Sequence, residues 1–344
     1  MQTATLGATG IKVSRFCLGA MMLGGIGNPD HEDCARIIYR AIDVGINFID
    51  TADVYGRGES ETIVGKAIKG KRAQLVIATK FGLPMSDTDP SKRGGSRRWI
   101  IQAVEDSLHR LGSDYIDLYQ MHRYDETTYI GETLFTLTEL VRQGKVRAFG
   151  SSMFPADRIV ESQWVAEKRG LLGFRTEQPW YSIFSREIER FVLPTARRYG
   201  MGVLTWSPLD AGFLAGKYRS PNDLTDDTRI ARVANMFRGS FDPRADFILC
   251  KLEVIPELER LAEEAGITLA QLAVAFTLEH PDVTATIIGP HKLEHLESLL
   301  PAADLRLDPA ILDRIDALAP PGSLFNLPND IPAATTPAHI RRPR

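Results

Sequence analysis

Short β-rich runs alternate with segments of helical apolar spacing along most of the chain, and this alternation constrains the fold more than any other feature. It predicts eight strands, at 16–20, 47–52, 75–81, 115–122, 146–152, 174–179, 202–208 and 284–289. Helices are predicted near 31–44, 58–69, 100–111, 134–144, 156–169, 187–199, 245–280 with a break at Gly266, and 292–300. Such alternation favours parallel strands with right-handed crossovers, and eight units favour closure into an α/β (β/α)8 TIM barrel.

Two segments do not fit the repeat. The opening TLGATGIKVSR, at 5–15, has glycines between β-prone pieces, so we predict an N-terminal hairpin that covers the barrel floor. Residues 218–245, the long loop after the seventh strand, are polar and rich in turn formers, which is typical of a substrate or cofactor lid. We therefore predict one domain over 1–319 and an irregular, proline-rich tail over 320–344.

Composition favours a small-molecule partner. The chain has 41 basic and 44 acidic residues and a net charge of −3, which gives no general attraction to nucleic acid or to a membrane surface. No secretory signal pattern or long apolar run is present, so a cytoplasmic location is expected. The widely spaced Cys17, Cys34 and Cys250 are expected to be reduced thiols in the core. The sequence carries no signal for an oligomeric state.

Four polar side chains come at or just after strand ends, where barrel enzymes place their catalytic groups. Asp50 ends the second predicted strand, Tyr55 follows it, Lys80 is near the end of the third, and His122 ends the fourth. Adjacent strands bring these four to the same rim of the barrel.

Each of the four has an ordinary structural explanation when taken alone. Asp50 suits a helix cap and Tyr55 a packed loop aromatic. Lys80 suits a solvated rim and His122 a core imidazole. Together they form a chemical set, because a phenol needs a nearby cation to donate a proton near neutral pH. Lys80 supplies that cation, Asp50 holds it in place, and His122 orients a carbonyl oxygen.

The motifs GINFIDTADVYG (45–56), IATK (77–80) and LYQMH (118–122) together resemble the aldo-keto reductase family, most closely its ion-channel β-subunit-like branch. The resemblance covers roughly residues 5 to 300. It implies an NAD(P)H-dependent oxidoreductase that reduces an aldehyde or ketone. In that family Tyr55 corresponds to the general acid, Lys80 to the cation beside it, Asp50 to the partner of Lys80, and His122 to the group that orients the carbonyl.

The resemblance also implies a nicotinamide site at the same rim, although the chain has no convincing GxGxxG fingerprint. Ser152 and Gln178 match family residues that bind the carboxamide, with Ser151 beside them, and Met153 stands where the family has asparagine. Trp206 matches the aromatic residue that stacks on the nicotinamide ring. The remaining matches on this side of the coenzyme are Gly19, Met21, Ser207, Pro208, Leu209 and Gly212.

The phosphate end of the coenzyme is assigned by the same resemblance. Lys217 and Arg229 match phosphate-binding residues, and the run IIGPHKLEHL (287–296) matches the adenosine-phosphate site through Gly289, His291 and His295. Lys217, Arg229 and Lys292 predict NADPH as the preferred coenzyme, with NADH as the alternative. No metal ion is expected.

Two other functions are compatible with such a barrel. A Schiff-base aldolase would use Lys80 as its nucleophile, but Ser152, Gln178 and Trp206 have no role in that chemistry. A nicotinamide-binding regulatory or channel-associated subunit is the second alternative, because the resembled branch includes such proteins.

Overall fold

Eight parallel strands close into a barrel in the computed structural model, which describes residues 1–228, 230–231 and 242–325. The strands are β3 (Phe16–Gly19), β4 (Phe48–Asp50), β5 (Val76–Phe81), β6 (Ile116–Met121), β7 (Val146–Ser152), β8 (Thr176–Gln178), β9 (Gly202–Thr205) and β10 (Ala285–Ile288). Closure comes from β10 pairing with both β9 and β3, where Thr286 lies opposite Phe16. All eight predicted strands and the (β/α)8 barrel are confirmed.

Helices surround the barrel. They are α1 (His31–Asp43), α2 (Glu59–Ala67), α3 (Arg97–Leu111), α4 (Ile130–Arg142), α5 (Ala156–Arg169), α6 (Val192–Arg198), α7 (Asp246–Glu264), α8 (Leu269–Glu279), α9 (Leu293–Leu299) and α10 (Pro309–Leu318). Local chemistry sets several ends: Asp30 accepts hydrogen bonds from the first turn of α1, and Thr268 forms a capping box with Gln271 at α8. The predicted break at Gly266, whose φ is +69°, separates α7 from α8 as expected.

Two helical predictions need correction. The predicted helix 187–199 is a short 3-10 turn, Glu187–Glu189, followed by α6, which begins only at Val192. Pro194 explains the late start, because proline lacks an N–H and is tolerated only in the first turn of a helix. Helix α10 was not predicted, although Asp308 caps it by accepting from Ala310 N and Pro309 occupies its first position.

The predicted hairpin is present and covers the N-terminal end of the barrel. Strands β1 (Thr3–Thr5) and β2 (Lys12–Ser14) are antiparallel, and neither Leu6, which follows β1, nor Val13 within β2 has any exposed surface. A Cβ on Gly7, whose φ is +51°, would lie 2.4 Å from Gly202 N, so only glycine allows this close approach. The hairpin therefore packs directly under the inward-facing barrel side chains, which include Cys17, Phe48, Ala78, Leu118, Leu204 and Ala285.

The main apolar core lies between the strands and the helices, and the free cysteines divide between core and surface. Cys17 and Cys34 are buried as expected, whereas Cys250 on α7 is exposed, so the prediction of a third core thiol was wrong. Residues 320–325 are irregular, and Phe325 N donates to Phe184 O, whereas the rest of the predicted tail, 326–344, lies outside the described residues. Within the described part of the chain no single helix has the length and apolar character of a membrane span, and only the pair α7 and α8, bent by 86°, meets those criteria jointly.

Candidate active site

The four predicted catalytic side chains meet at the C-terminal rim of the barrel. Asp50 is the last residue of β4, Tyr55 opens a 3-10 turn after it, and His122 follows β6 directly. The register pairs Asp50 with Ala78, and because side chains alternate along a strand, Lys80 faces the same interior side. Sequence position and register thus place all four around one point.

Lys80 is the centre of the contacts. Its side chain has no exposed surface, and Nζ donates to Asp50 Oδ2 at 2.5 Å, to Thr51 O at 2.9 Å and to the Tyr55 hydroxyl at 3.3 Å. Burial alone would lower the pKa of Lys80, but the charge of Asp50, the phenol of Tyr55 and hydrogen bonds to both raise it above its usual value. Lys80 is therefore a charged group directed at the Tyr55 oxygen.

Two glutamines hold the other oxygen of Asp50. Gln178 Nε2 donates to Asp50 Oδ1 at 2.7 Å, and Gln120 Nε2 donates to the same oxygen at 3.2 Å. Gln120 was not predicted as a site residue. Its position two residues before His122, opposite Lys80 in the register, was the available signal. Hydrogen bonds to both of its oxygens therefore orient the Asp50 carboxylate.

His122 packs edge-on against Tyr55, with ring centroids 5.8 Å apart and an interplanar angle of 84°. Burial, and then the positive charges of Lys80 and Arg123, hold the pKa of His122 well below its usual value. Its Nδ1 has no hydrogen-bond partner among the residues that the structure describes. The imidazole is thus neutral near pH 7 and offers one N–H donor beside the phenol.

The predicted carboxamide residues lie at the ends of β7 and β8. Ser152 Oγ donates to Gln178 O at 2.9 Å, which ties the two strand ends together. Ser151 faces the opposite way, and its Oγ donates to Glu177 Oε2 at 2.5 Å. Burial raises the pKa of Glu177 to about 7, against hydrogen bonds from Ser151 and from the backbone that lower it. The hydroxyl of Ser151 is therefore already used within the protein.

Trp206, at the end of β9, is half-buried and stacks on Trp180, with centroids 5.5 Å apart and planes 21° apart. Trp180 was not predicted as a site residue, because the two tryptophans follow different strands and meet only when β8 and β9 pair. Beyond Trp206 the backbone takes left-handed values, with φ of +60° at Ser207 and +107° at Gly212. Pro208 and Leu209 lie within the same turn.

A cluster of basic groups lies further along the same side. The rings of His291 and His295 are 4.5 Å apart, and Asn28 Nδ2 donates to His291 O at 3.0 Å. Burial, and then the positive charges of Lys217 and Lys292, lower the pKa of His295. The structure therefore gathers basic groups from the loop after β9 and from the start of α9. Arg229 lies outside the described residues.

Two glycines form the remaining part of this rim. Gly19 ends β3 and Gly289 follows β10, and a Cβ on Gly19 would lie 2.7 Å from Ile287 Cγ2 and 3.8 Å from Gly289 Cα. Met21, half-buried, follows two residues after Gly19. Glycine at position 19 is therefore explained by the close packing of Ile287 against it.

Comparison with known proteins agrees with this geometry. The model of the aldo/keto reductase family matches residues 15–320. The chain is similar to the uncharacterized oxidoreductase YrpG of Bacillus subtilis (strain 168), at 39% identity over 330 residues that cover 93% of this chain and 96% of the relative. Aldo-keto reductase YhdN of the same organism is 36% identical, with 87% and 88% covered.

A further relative is named for a different role. The putative voltage-gated potassium channel subunit beta of Schizosaccharomyces pombe is 34% identical over 320 residues, covering 91% of this chain and 92% of the relative. The barrel, the contacts among the four rim side chains and these similarities lead to one conclusion. The chain belongs to the aldo/keto reductase family and is an NAD(P)H-dependent oxidoreductase.

Proposed function

We propose that this protein reduces an aldehyde or ketone to an alcohol with NADPH, and that Tyr55 is the general acid. The observation that carries the proposal is the buried ammonium of Lys80, which contacts both Asp50 and the Tyr55 hydroxyl. A cation at this position stabilises the phenolate that remains after proton donation. The phenol is thereby suited to donate to a carbonyl oxygen.

The other side chains act on the same oxygen or on Lys80. The neutral His122 ring lies beside Tyr55 and offers an N–H that orients a carbonyl oxygen toward the phenol. Asp50, held by Gln120 and Gln178, keeps Lys80 charged and fixes its direction. When bound, the reduced nicotinamide supplies the hydride for the carbonyl carbon.

The described residues fit a nicotinamide dinucleotide. Trp206 presents a half-buried aromatic face at the same rim of the barrel as the catalytic residues, and its stack on Trp180 fixes that face. In the turn that follows, Gly212 leaves space that a Cβ would fill at 3.1 Å from the Tyr218 hydroxyl. Lys217 and Lys292 both lie near His295 at the far end, where a coenzyme phosphate requires positive charge. This cluster supports NADPH over NADH.

A panel of aromatic, aliphatic and sugar-derived aldehydes and ketones, each with NADPH or NADH, tests the proposal through coenzyme consumption. We expect consumption with at least one class of carbonyl and recovery of the matching alcohol. Consumption that forms no alcohol, or no consumption with any member of the panel, would contradict the proposal.

A channel-associated role is the second candidate, because relatives named as potassium channel β subunits cover most of the chain. The intact contacts among Asp50, Tyr55 and Lys80 favour turnover over a purely regulatory role. Co-purification with a channel protein, together with an inactive carbonyl panel, would favour the second candidate.

A further inference from the structure

A buried ion pair supports the turn that follows Trp206. Lys251 Nζ lies 2.6 Å from Asp210 Oδ2, and each side chain is only 1% exposed. Lys251 comes from α7 and Asp210 from the 3-10 turn Asp210–Ala215. The Lys251 ammonium also lies 4.9 Å from the centre of the Phe213 ring, within cation–π range. The pair therefore connects a surrounding helix to the active-site rim.

Stability alone does not account for this pair. Removing two charges from water costs several kcal/mol, and their attraction in the interior does little more than offset that cost. Apolar side chains of the same size would fill this space as well. The pair is better understood through the backbone conformation that it fixes.

The backbone at this turn is strained. The φ values are +60° at Ser207, +44° at Asp210 and +56° at Ala211, and none of these residues is glycine. A left-handed residue with a Cβ is strained, so it persists only where the surrounding structure holds it. Asp210 is itself one of the strained residues, and its carboxylate pairs with Lys251 by charge, because neither oxygen has a hydrogen-bond partner with suitable geometry among the described residues.

We propose that Lys251 and Asp210 are positioning residues that hold the turn 207–212 in the shape that receives the coenzyme pyrophosphate. This inference rests on the proposed assignment of that turn to NADPH. In this turn the amides of Asp210 and Gly212 donate to Ser207 O and Leu209 O and Pro208 has none, so only the other amides of the turn are left to meet an anion. Lys251 has a second effect, because it neutralises a carboxylate that would otherwise repel the phosphates.

The two roles of Lys251 predict an asymmetry between single substitutions. Lys251→Met relaxes the turn and leaves the Asp210 carboxylate without its cation beneath an anion site. Asp210→Asn also relaxes the turn, but it leaves a positive charge that attracts phosphate. We expect the Kd for NADPH to rise about tenfold or more in Lys251→Met, and distinctly less in Asp210→Asn.

Titration of protein fluorescence with NADPH tests this asymmetry without relying on turnover, since Trp206 and Trp180 lie at the site. The double variant Asp210→Asn/Lys251→Met removes both charges of this pair, so its Kd should fall between those of the single variants. The KM for NADPH should rise more than kcat falls. If Lys251→Met does not fold, the double variant and Asp210→Asn still report on the turn.

Arg72 and Asp117 provide a matched control. They form a partly buried ion pair of 2.7 Å at the opposite end of the barrel, where β6 begins. Arg72→Met should lower the free energy of unfolding and leave the Kd for NADPH unchanged. NADPH binding within twofold of wild type in the folded Lys251→Met, Asp210→Asn and double variants would overturn the inference. Wild-type protein that binds neither coenzyme would instead overturn the proposed function on which it rests.

Discussion

The ammonium of Lys80 lies 3.3 Å from the Tyr55 hydroxyl oxygen and 2.5 Å from Asp50 Oδ2, at a site where Lys80 has no exposed surface. Asp50 and Tyr55 hold this buried ammonium in place, and its positive charge acts on both of them. The contact with Lys80 explains why the Tyr55 phenol is suited to donate a proton. The roles of Lys80, Asp50 and Tyr55 can each be tested by substitution.

Lys80→Met removes the cation beside the phenol and leaves Asp50 as a buried carboxylate without its partner. We expect kcat to fall by about 100-fold or more, because general acid catalysis contributes on that order. The free energy of unfolding should fall by about 3–5 kcal/mol, the usual result of breaking a buried pair from one side. Steady-state kinetics and urea unfolding measure the two effects.

The exposed Lys168, on the outer face of α5, supplies a control for Lys80. Lys168→Met should leave both kcat and stability close to wild type. A Lys80→Met enzyme with a wild-type kcat would show that the cation is not required for proton donation.

His122 should remain neutral through the range in which histidine ordinarily titrates, because burial and nearby cations lower its pKa. The unfolded chain takes up a proton below about pH 6.5 and the folded chain does not, so this residue makes the protein less stable as pH falls below that value. His122→Gln removes that contribution. Measuring the free energy of unfolding of both proteins between pH 5 and 7.5 tests this. For each pH unit below about 6.5 we expect wild type to lose about 1.4 kcal/mol more than His122→Gln.

A steeper loss of stability at low pH in wild type than in His122→Gln is the expected result. Parallel curves for the two proteins, or an NMR titration of the His122 ring with an ordinary pKa, would contradict the assignment of a neutral imidazole.

Asp53 precedes Tyr55 by two residues, is 1% exposed and has no hydrogen-bond partner for its carboxyl oxygens among the described residues. Burial, and then the charge of Glu61, raise the pKa of Asp53 to about 8 from its ordinary 3.8. Between these values the folded protein keeps a proton that the unfolded chain has lost, so the contribution of Asp53 to stability falls as pH rises from 4 to 8.

Asp53→Asn keeps the shape of the acid but cannot ionise. Its free energy of unfolding relative to wild type should therefore increase from pH 4 to pH 8 at about 1.4 kcal/mol per pH unit, which is roughly 5 kcal/mol in total. The exposed Asp43 gives the control, since Asp43→Asn should show no such trend. A constant difference between Asp53→Asn and wild type across this range would refute a protonated Asp53.

The coenzyme preference should depend on the basic cluster near α9. Lys217→Met should raise the KM for NADPH about tenfold, as expected for one charge-assisted contact to the 2′-phosphate, and leave that for NADH nearly unchanged. Steady-state kinetics with both coenzymes measure the split. Equal effects on the two, or a wild-type preference for NADH, would show that this cluster does not bind the 2′-phosphate.

The sequence predicts most of the barrel and the catalytic set because both depend on local patterns. Each strand is a short apolar run, and Asp50, Lys80 and His122 sit at strand ends that topology brings together. The same reasoning should have found α10, since Asp308 and Pro309 form a recognisable helix start.

The residues that the sequence did not reveal act through partners far along the chain. Trp180 meets Trp206 only when two strands pair, and the pair of Asp210 with Lys251 joins a turn to a helix from a later unit. No local sequence pattern around Trp180 or Asp210 indicates the distant residue that it contacts. Exposure of Cys250 was missed for a related reason, because an apolar neighbourhood in sequence does not fix which face of α7 a residue occupies.

The role of Tyr55 as general acid is tested most directly by Tyr55→Phe, which removes one oxygen and keeps the ring that packs against His122. The measurement is kcat for a carbonyl accepted by the wild type, together with the Kd for NADPH from fluorescence titration. The account predicts a kcat lower by about 100-fold or more with a nearly unchanged Kd. A Tyr55→Phe enzyme that binds NADPH normally and turns over at the wild-type rate would contradict it.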